Sequence, residues 1–340
     1  MSARLLLTHA DLTPARLAGL MARHGSPERV LAAIRATVPD PVGHLDAGDV
    51  TARLDRVGAW FVAGDDPRLP SGLRDLPDPP VGLFVRGSLP DGPAVAVIGT
   101  RRCTPYGLAL ARALGAGLAG AGATVVSGLA RGVDGAAHTG TVAAGGTALA
   151  VLGCGIDRWY PGEHRKLGEQ MVATGGAVVS EYPPGRAPEA WRFPVRNRLI
   201  AAWSEAVVVV EAGATGGALI TARIALELGR EVLAVPGDID RPASVGTNLL
   251  IRDGAHPVLG VEDLLTTLEL AGLIARRGDA VMEPSGPVSV ETWLGRLGLP
   301  VADGLAELAR LEREGAVEVR SGMVVPRGEG SMPTPGPGGS

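Results

Sequence analysis

Aromatic residues make up only 3% of this 340-residue chain, and a single lysine, Lys166, stands among its 32 Lys and Arg residues. Hydrophobic residues still reach 46%, so Ala, Val and Leu must build the core. The lone lysine is flanked by Arg165 and Leu167. That excludes a Walker-type phosphate loop, which needs Gly-Lys-Ser/Thr. Any Schiff-base chemistry would fall to that one side chain. Cys103 and Cys154 lie far apart and in no Cys-x-x-Cys pattern, so neither a disulfide framework nor zinc is expected. No His, Asp and Glu cluster has metal-ligand spacing, so no metal and no cofactor are expected. No apolar run is long enough to span a bilayer, and the N-terminus lacks the full apolar region and cleavage site of a signal peptide. A cytoplasmic protein without a membrane partner is expected. The net charge of −4 argues against binding duplex DNA over a broad face and leaves room for a local basic groove.

A chain of this length holds two or three domains. Residues 1–60 are rich in Leu and Ala at helical spacing, as in Thr13-Pro-Ala-Arg-Leu-Ala-Gly-Leu-Met-Ala-Arg23, and read as a small helical bundle. A Pro-dense stretch from Asp66 to Pro80 follows, then a strand at Gly82–Gly87. Residues 61–270 alternate Val-rich runs with helical stretches. The runs are Ala94–Ile98, Thr124–Ser127, Ala148–Leu152, Ala177–Ser180, Ala206–Glu211 and Glu231–Pro236. Continuous apolar strands between helices predict a parallel sheet covered on both faces, hence a doubly wound, Rossmann-like α/β domain. Residues 271–287 read as a linker. Residues 288–327 carry two helices and a hairpin, the pattern of a winged helix, and residues 328–340 are Gly/Pro/Ser-rich and expected to be disordered.

In such a sheet ligands bind beyond the carboxyl ends of the strands. The loops there are rich in glycine and arginine: Gly99-Thr-Arg-Arg-Cys-Thr-Pro-Tyr-Gly107, Ser127-Gly-Leu-Ala-Arg131, Gly153-Cys-Gly155 and Glu211-Ala-Gly-Ala-Thr-Gly-Gly217. Glycines let a backbone approach an anion, and helix N-termini offer free N–H groups. None of these loops matches the dinucleotide Gly-x-Gly-x-x-Gly pattern with a distal acid, which excludes a nicotinamide oxidoreductase. Phe193-Pro-Val-Arg-Asn-Arg198, expected on a loop, adds one ring and two guanidiniums. A ring stacks on a base and guanidiniums follow phosphates, the two needs of a single-strand groove. Taken alone, the segment reads first as a core Phe with a solvated Arg pair; the rest of the chain reverses that order.

Other polar residues have structural readings. Asp134 reads as a helix cap and His138 as a structural hydrogen-bonding residue. Ser127 has no evident base, Glu211 is expected to pair with an arginine of the groove, and Trp159-Tyr160 are expected to be buried against the sheet. No catalytic constellation emerges.

The chain resembles the DNA-processing protein A family (DprA, also called Smf). The resemblance rests on Val97-Ile-Gly-Thr-Arg101, Ser127-Gly-Leu-Ala-Arg-Gly-Val-Asp134 with Ala137-His138, and Gly155-Ile-Asp157 with Tyr160-Pro161. It continues through Ser180-Glu-Tyr-Pro183, Phe193-Pro-Val-Arg-Asn-Arg198, Glu211-Ala212 with Leu219-Ile-Thr-Ala222, Val235-Pro-Gly237 and Gly246-Thr-Asn248. These motifs run in order from about residue 60 to 265. The resemblance implies a non-enzymatic single-stranded DNA-binding protein that protects incoming DNA in natural transformation and loads the recombinase RecA. It also implies a sterile-alpha-motif-like module before the core, a winged helix after it, and a homodimer formed through the Rossmann-like domain. Carried over, the DNA pocket would use Arg101, Arg131, Phe193, Arg196, Asn197 and Arg198, with the Gly99-Thr100 and Gly216-Gly217 backbones near phosphates. The family usually has Ser-Gly-Ser/Thr where this chain has Gly216-Gly217-Ala218, so backbone donors must replace two hydroxyls.

The alternative is a nucleotide N-glycosidase resembling the lysine-decarboxylase-like LOG family, but Gly213-Ala-Thr-Gly-Gly217 lacks that family's Pro and trailing Thr. The 288–327 module carries six acids against five arginines, too balanced for a duplex reader, so partner docking or dimer support is as good a reading.

Overall fold

Alternating apolar residues set the layers in the computed structural model, which describes residues 2–37, 45–275, 286–297, 301–313 and 316–326. The expected linker lies largely outside the described residues, at 276–285, and the expected tail lies wholly outside them. The chain divides into two units, Met1–Ile274 and Ala275–Ser340.

The first unit begins with α1 (Ser2–Leu7), α2 (Pro14–His24), α3 (Pro27–Thr37) and α4 (Ala47–Arg56). Thr13 caps α2 and Asp46 caps α4, each side chain accepting from a first-turn N–H. There follow β1 (Trp60–Ala63), β2 (Gly82–Gly87), β3 (Ala94–Ile98), α5 (Pro105–Gly120), β4 (Thr124–Ser127), α6 (Val133–Ala143), β5 (Ala148–Leu152) and α7 (Arg165–Ala173). The unit ends with β6 (Ala177–Ser180), α8 (Arg192–Trp203), β7 (Ala206–Val209), α9 (Gly217–Glu227), β8 (Glu231–Ala234), α10 (Val245–Arg252), β9 (His256–Pro257) and α11 (Val261–Leu270).

The sheet has nine strands in the order β1-β2-β6-β5-β4-β3-β7-β8-β9. From β6 to β9 every neighbour is parallel. The strand expected at Gly82–Gly87 joins this sheet antiparallel to β6, and β1 pairs antiparallel with it. The wholly parallel expectation is corrected at this edge, for a reason of chain length. Residues 88–93 must already cross four inter-strand spacings of about 4.8 Å each to reach β3, which uses most of their extended reach, so β3 starts at the border where β2 ends and the two strands point opposite ways.

Each central strand splits its side chains between two cores with period two. Val95, Val97, Val125 and Val208 pack with Leu114 and Leu118 of α5 and Leu264 and Leu268 of α11. Ala96, Ile98, Val126, Val207 and Val209 pack with Leu199, Ile200 and Trp203 of α8 and Ala222 of α9. Both faces are covered, which is why these strands read as unbroken apolar runs. Leu5, Leu7 and Leu54 of the N-terminal helices share a third cluster with Phe84, Ala150, Leu152 and Val178. Those helices therefore close over the sheet rather than over a core of their own. Each fully buried Val or Leu stabilises the unit by roughly 1.5–3 kcal/mol.

The second unit holds β10 (Val288–Ser289), α12 (Val290–Leu297), α13 (Val301–Arg313), β11 (Val317–Arg320) and β12 (Met323–Pro326). Its strands pair antiparallel in the order β10-β12-β11, and Trp293, Leu308, Leu311, Val317 and Val324 form its core.

Candidate nucleic-acid interface

The strand order reverses between β3 and β7: β4, β5 and β6 lie on one side, β8 and β9 on the other. A crevice is expected beyond the carboxyl ends at such a switch point. A cavity of about 570 Å³ opens there, lined by Ile98 at the end of β3, by Gly99 and Thr100 after it, and by Ala212 and Gly213 after β7. The start of α8 and the start of α9 complete it.

Phe193 to Arg198 are helical, within α8, and not on a loop as the sequence led us to expect. Pro194 permits this because it falls in the first turn, where its missing N–H would have had no helical partner. The helical period then sorts the segment. Phe193, Arg196, Asn197 and Ile200, spaced three and four apart, share one stripe and line the cavity. Arg198 falls on another face. Its guanidinium donates to both Glu181 oxygens at 2.8 Å, to Asp78 Oδ1 at 3.1 Å and to the Asp78 carbonyl at 3.1 Å. It lines no part of the cavity and acts as a buried clamp.

Arg196 forms the floor. It is 3% exposed, and its Nη1 donates to the Gly128 carbonyl at 2.9 Å and to the Val151 carbonyl. Gly128 leaves the space the guanidinium fills: a Cβ there would lie 2.6 Å from the guanidinium carbon and would displace it. Burial lowers the Arg196 pKa to about 10; Asp134 opposes that shift and Arg101 adds to it. Burial also pushes the Asp134 carboxyl up, against the pull of Arg196.

The mouth is aromatic and cationic. The Arg101 guanidinium lies over the Phe193 ring, 5.1 Å from its centroid. The Tyr160 ring lies 5.1 Å from Phe193 at an interplanar angle of 35°. Tyr160 is 41% exposed and lines the cavity, whereas Trp159 is half-buried, packed against a core cluster with Arg86 over its ring. The expected burial of this pair therefore holds in part for Trp159 and not for Tyr160, since neighbours on a turn point apart.

Gly216 and Gly217 open α9 on the opposite wall. Gly216 has φ +148°, a conformation that favours glycine. Asn197 Nδ2 donates to the Gly217 carbonyl at 3.2 Å, tying the two helix starts together. The first-turn N–H groups of α9 have no partner within the helix, so backbone donors stand where the family's two hydroxyls are absent.

Arg131 is exposed, forms a two-point pair with Glu163 at 2.7 and 2.9 Å, and is not among the cavity-lining residues. Of the sequence-derived site, the structure brings together Gly99, Thr100, Arg101, Phe193, Arg196, Asn197, Gly216 and Gly217, and leaves out Arg131 and Arg198. Arg102, Thr215 and Asp134 also line the cavity and were missed. Arg102 adjoins a residue already chosen, whereas Asp134 had only a capping signature.

Three structural readings need correction. Glu211 has no arginine partner among the described residues. Its carboxylate accepts from Thr104 N at 2.8 Å and Thr104 Oγ1 at 2.5 Å, fixing the loop after β3. Asp134 does not cap its own helix, whose N-cap is Gly132; it accepts from Gly128 N at 3.1 Å and fastens the loop ahead. His138 is wholly buried, and neither ring nitrogen has a hydrogen-bond partner among the described residues. Ser127 donates to the Val97 carbonyl at 2.7 Å, a structural bond. Among the described residues no group of three His, Cys, Asp or Glu side chains can hold a metal, and no helix is long and apolar enough to cross a membrane.

An open, mostly parallel sheet covered by helices, with a cavity at its switch point, defines a Rossmann-like α/β fold. The family model for DNA recombination-mediator protein A matches residues 60–269. The chain belongs to that family. It is 41% identical over 218 residues to protein Smf of Escherichia coli, covering 64% of this chain and 58% of that protein. To DNA processing protein DprA of Bacillus subtilis it is 39% identical over 202 residues, covering 58% of this chain and 68% of that protein. The chain thus spans less than three fifths of the E. coli relative. An X-ray structure of DNA processing protein A from Streptococcus pneumoniae superposes with a TM-score of 0.62 at 32% identity, over 75% of this chain and 87% of that one. A structure of the Helicobacter pylori protein, described for its unique single-stranded DNA binding mode, gives 0.56 at 30% identity, over 62% of this chain and 96% of that one.

Proposed function

We propose that this protein binds single-stranded DNA in the switch-point cavity and acts in DNA processing during transformation and recombination. One observation carries the reading: the Phe193 ring, flanked by Arg101 and Tyr160, lines the same cavity as the buried Arg196 guanidinium. A base stacks on such a ring while phosphates follow the cations, an affinity that tolerates any sequence. The family membership and the single-strand binding described for the H. pylori relative support it. The protein acts as a binder in this reading and not as an enzyme. Glu211, the acid closest to the segment that the N-glycosidase alternative would use, is occupied by Thr104.

Protection of incoming DNA, handover to RecA and homodimerisation through the Rossmann-like domain belong to the same proposal. So do a cytoplasmic location, a sterile-alpha-motif-like role for α1–α4 and a winged-helix role for the second unit, whose two helices and hairpin support it. The test is a titration of single-stranded against double-stranded oligonucleotides of matched length. Preference for the single strand, lost in Phe193→Ala, is expected. Equal binding of both forms, unaffected by the substitution, would overturn the reading. Base release from a nucleoside monophosphate by the purified protein would establish the alternative.

A further inference from the structure

Trp191 stands beside the cavity in sequence: Ala190 before it and Phe193 two residues after it both line the cavity. It is 42% exposed, although indole surface is usually among the first to be covered. Its ring is nevertheless held. The Nε1–H donates to Glu189 Oε2 at 2.6 Å, and the Arg192 guanidinium lies over the ring, 5.0 Å from its centroid. Arg192 is 2% exposed and lies over the Tyr182 ring as well, at 4.9 Å. It donates to the Ala187 carbonyl at 2.6 Å and pairs with Glu189 at 3.1 Å. Glu189 therefore has its charge engaged by Arg192 and by the indole N–H.

The wall that carries this tryptophan is itself anchored. Arg186 donates to the His9 carbonyl at 3.0 Å and pairs with Asp11 at 3.2 Å, and Arg192 reaches the same Asp11 at 3.7 Å. The turn ahead of α2 thus clasps the segment between β6 and α8. A ring fixed in this way loses little freedom when a flat partner lands on it. Trp191 is the N-cap of α8 and Phe193 lies two residues on, so their Cα atoms are at most about 7.6 Å apart.

We propose that Trp191 is a second stacking platform, which takes a base of the same single strand after it leaves the cavity. The assignment rests on the single-stranded DNA reading above. It predicts a dependence on strand length. An oligonucleotide that only fills the cavity never reaches Trp191, whereas a longer one does.

The full chain and its Phe193→Ala, Trp191→Ala, Trp191→Leu and Trp191→Phe variants are titrated with labelled oligo-dT of about 4 and about 16 nucleotides, spanning the usual site sizes. Phe193→Ala is expected to weaken both lengths. Trp191→Ala and Trp191→Leu are expected to weaken only the longer one, by about five- to tenfold. Trp191→Leu keeps apolar bulk without a flat face, and Trp191→Phe is expected to restore most of the affinity. Wild-type binding of the long strand by both Trp191→Ala and Trp191→Leu, with Phe193→Ala impaired, overturns the platform and spares the cavity. Equal weakening at both lengths makes Trp191 a packing residue and also overturns it. Unchanged binding by Phe193→Ala and the Trp191 variants alike overturns the single-strand reading with it.

Discussion

Arg101 and Phe193, 92 positions apart in sequence, meet at the cavity mouth with the guanidinium carbon 5.1 Å from the ring centroid. A guanidinium held by its face against a ring keeps its edge donors for a phosphate. The ring gains a cation that steadies it before any base arrives.

Arg101 is exposed, so Arg101→Ala is expected to leave the thermal midpoint unchanged. If it binds phosphate, the slope of log affinity against log salt falls by about 0.7 for a single strand. Titrations at several salt concentrations check this. An unaltered slope would confine Arg101 to the ring contact.

Arg198→Ala is expected to act on folding. The substitution strips the partner from Glu181 and Asp78 in a buried site, a loss of about 3–5 kcal/mol. Urea denaturation reads the loss directly. The salt slope of a folded Arg198→Lys variant should match the wild type, because this side chain lies off the strand's path.

Glu211→Ala is expected to loosen the loop after β3. Thr104 loses two bonds, one of them from its backbone N–H, and stability falls by about 1–3 kcal/mol. Single-strand affinity is expected to fall as well, since Gly99 to Arg101 lead into that loop. Denaturation and anisotropy measured on one preparation separate the two effects.

His138 gives the protein an acid-side weakness. Burial, with His164 and Arg196 nearby, lowers its pKa from 6.5 to about 3. As pH falls, the unfolded chain takes up the proton first. The contribution of neutral His138 is therefore complete above pH 6.5 and is lost between 6.5 and about 3, at up to about 1.4 kcal/mol per unit. His138→Leu is expected to flatten the stability profile below pH 6. It also removes two unpartnered nitrogens, so its stability at pH 7 should equal or exceed the wild type. An unchanged acid limb in His138→Leu would assign the weakness elsewhere.

The sequence by itself determined the strands and the rim. Ala94–Ile98, Thr124–Ser127, Ala148–Leu152 and Ala177–Ser180 stand where their Val-rich runs placed them, because burial on both faces admits only apolar residues. The glycine and arginine loops followed from those strands, since a parallel sheet collects its strand ends on one side. Tertiary structure alone decided which side chains reach the cavity. Helical geometry parted Arg196 from Arg198, two residues apart, and sent one to the floor and the other to a clamp. The Glu211 to Thr104 bond spans 107 positions, and the lack of any partner for His138 depends on everything packed around it. A local pattern records which face of an element is apolar; the partner across that face exists only once distant segments have met.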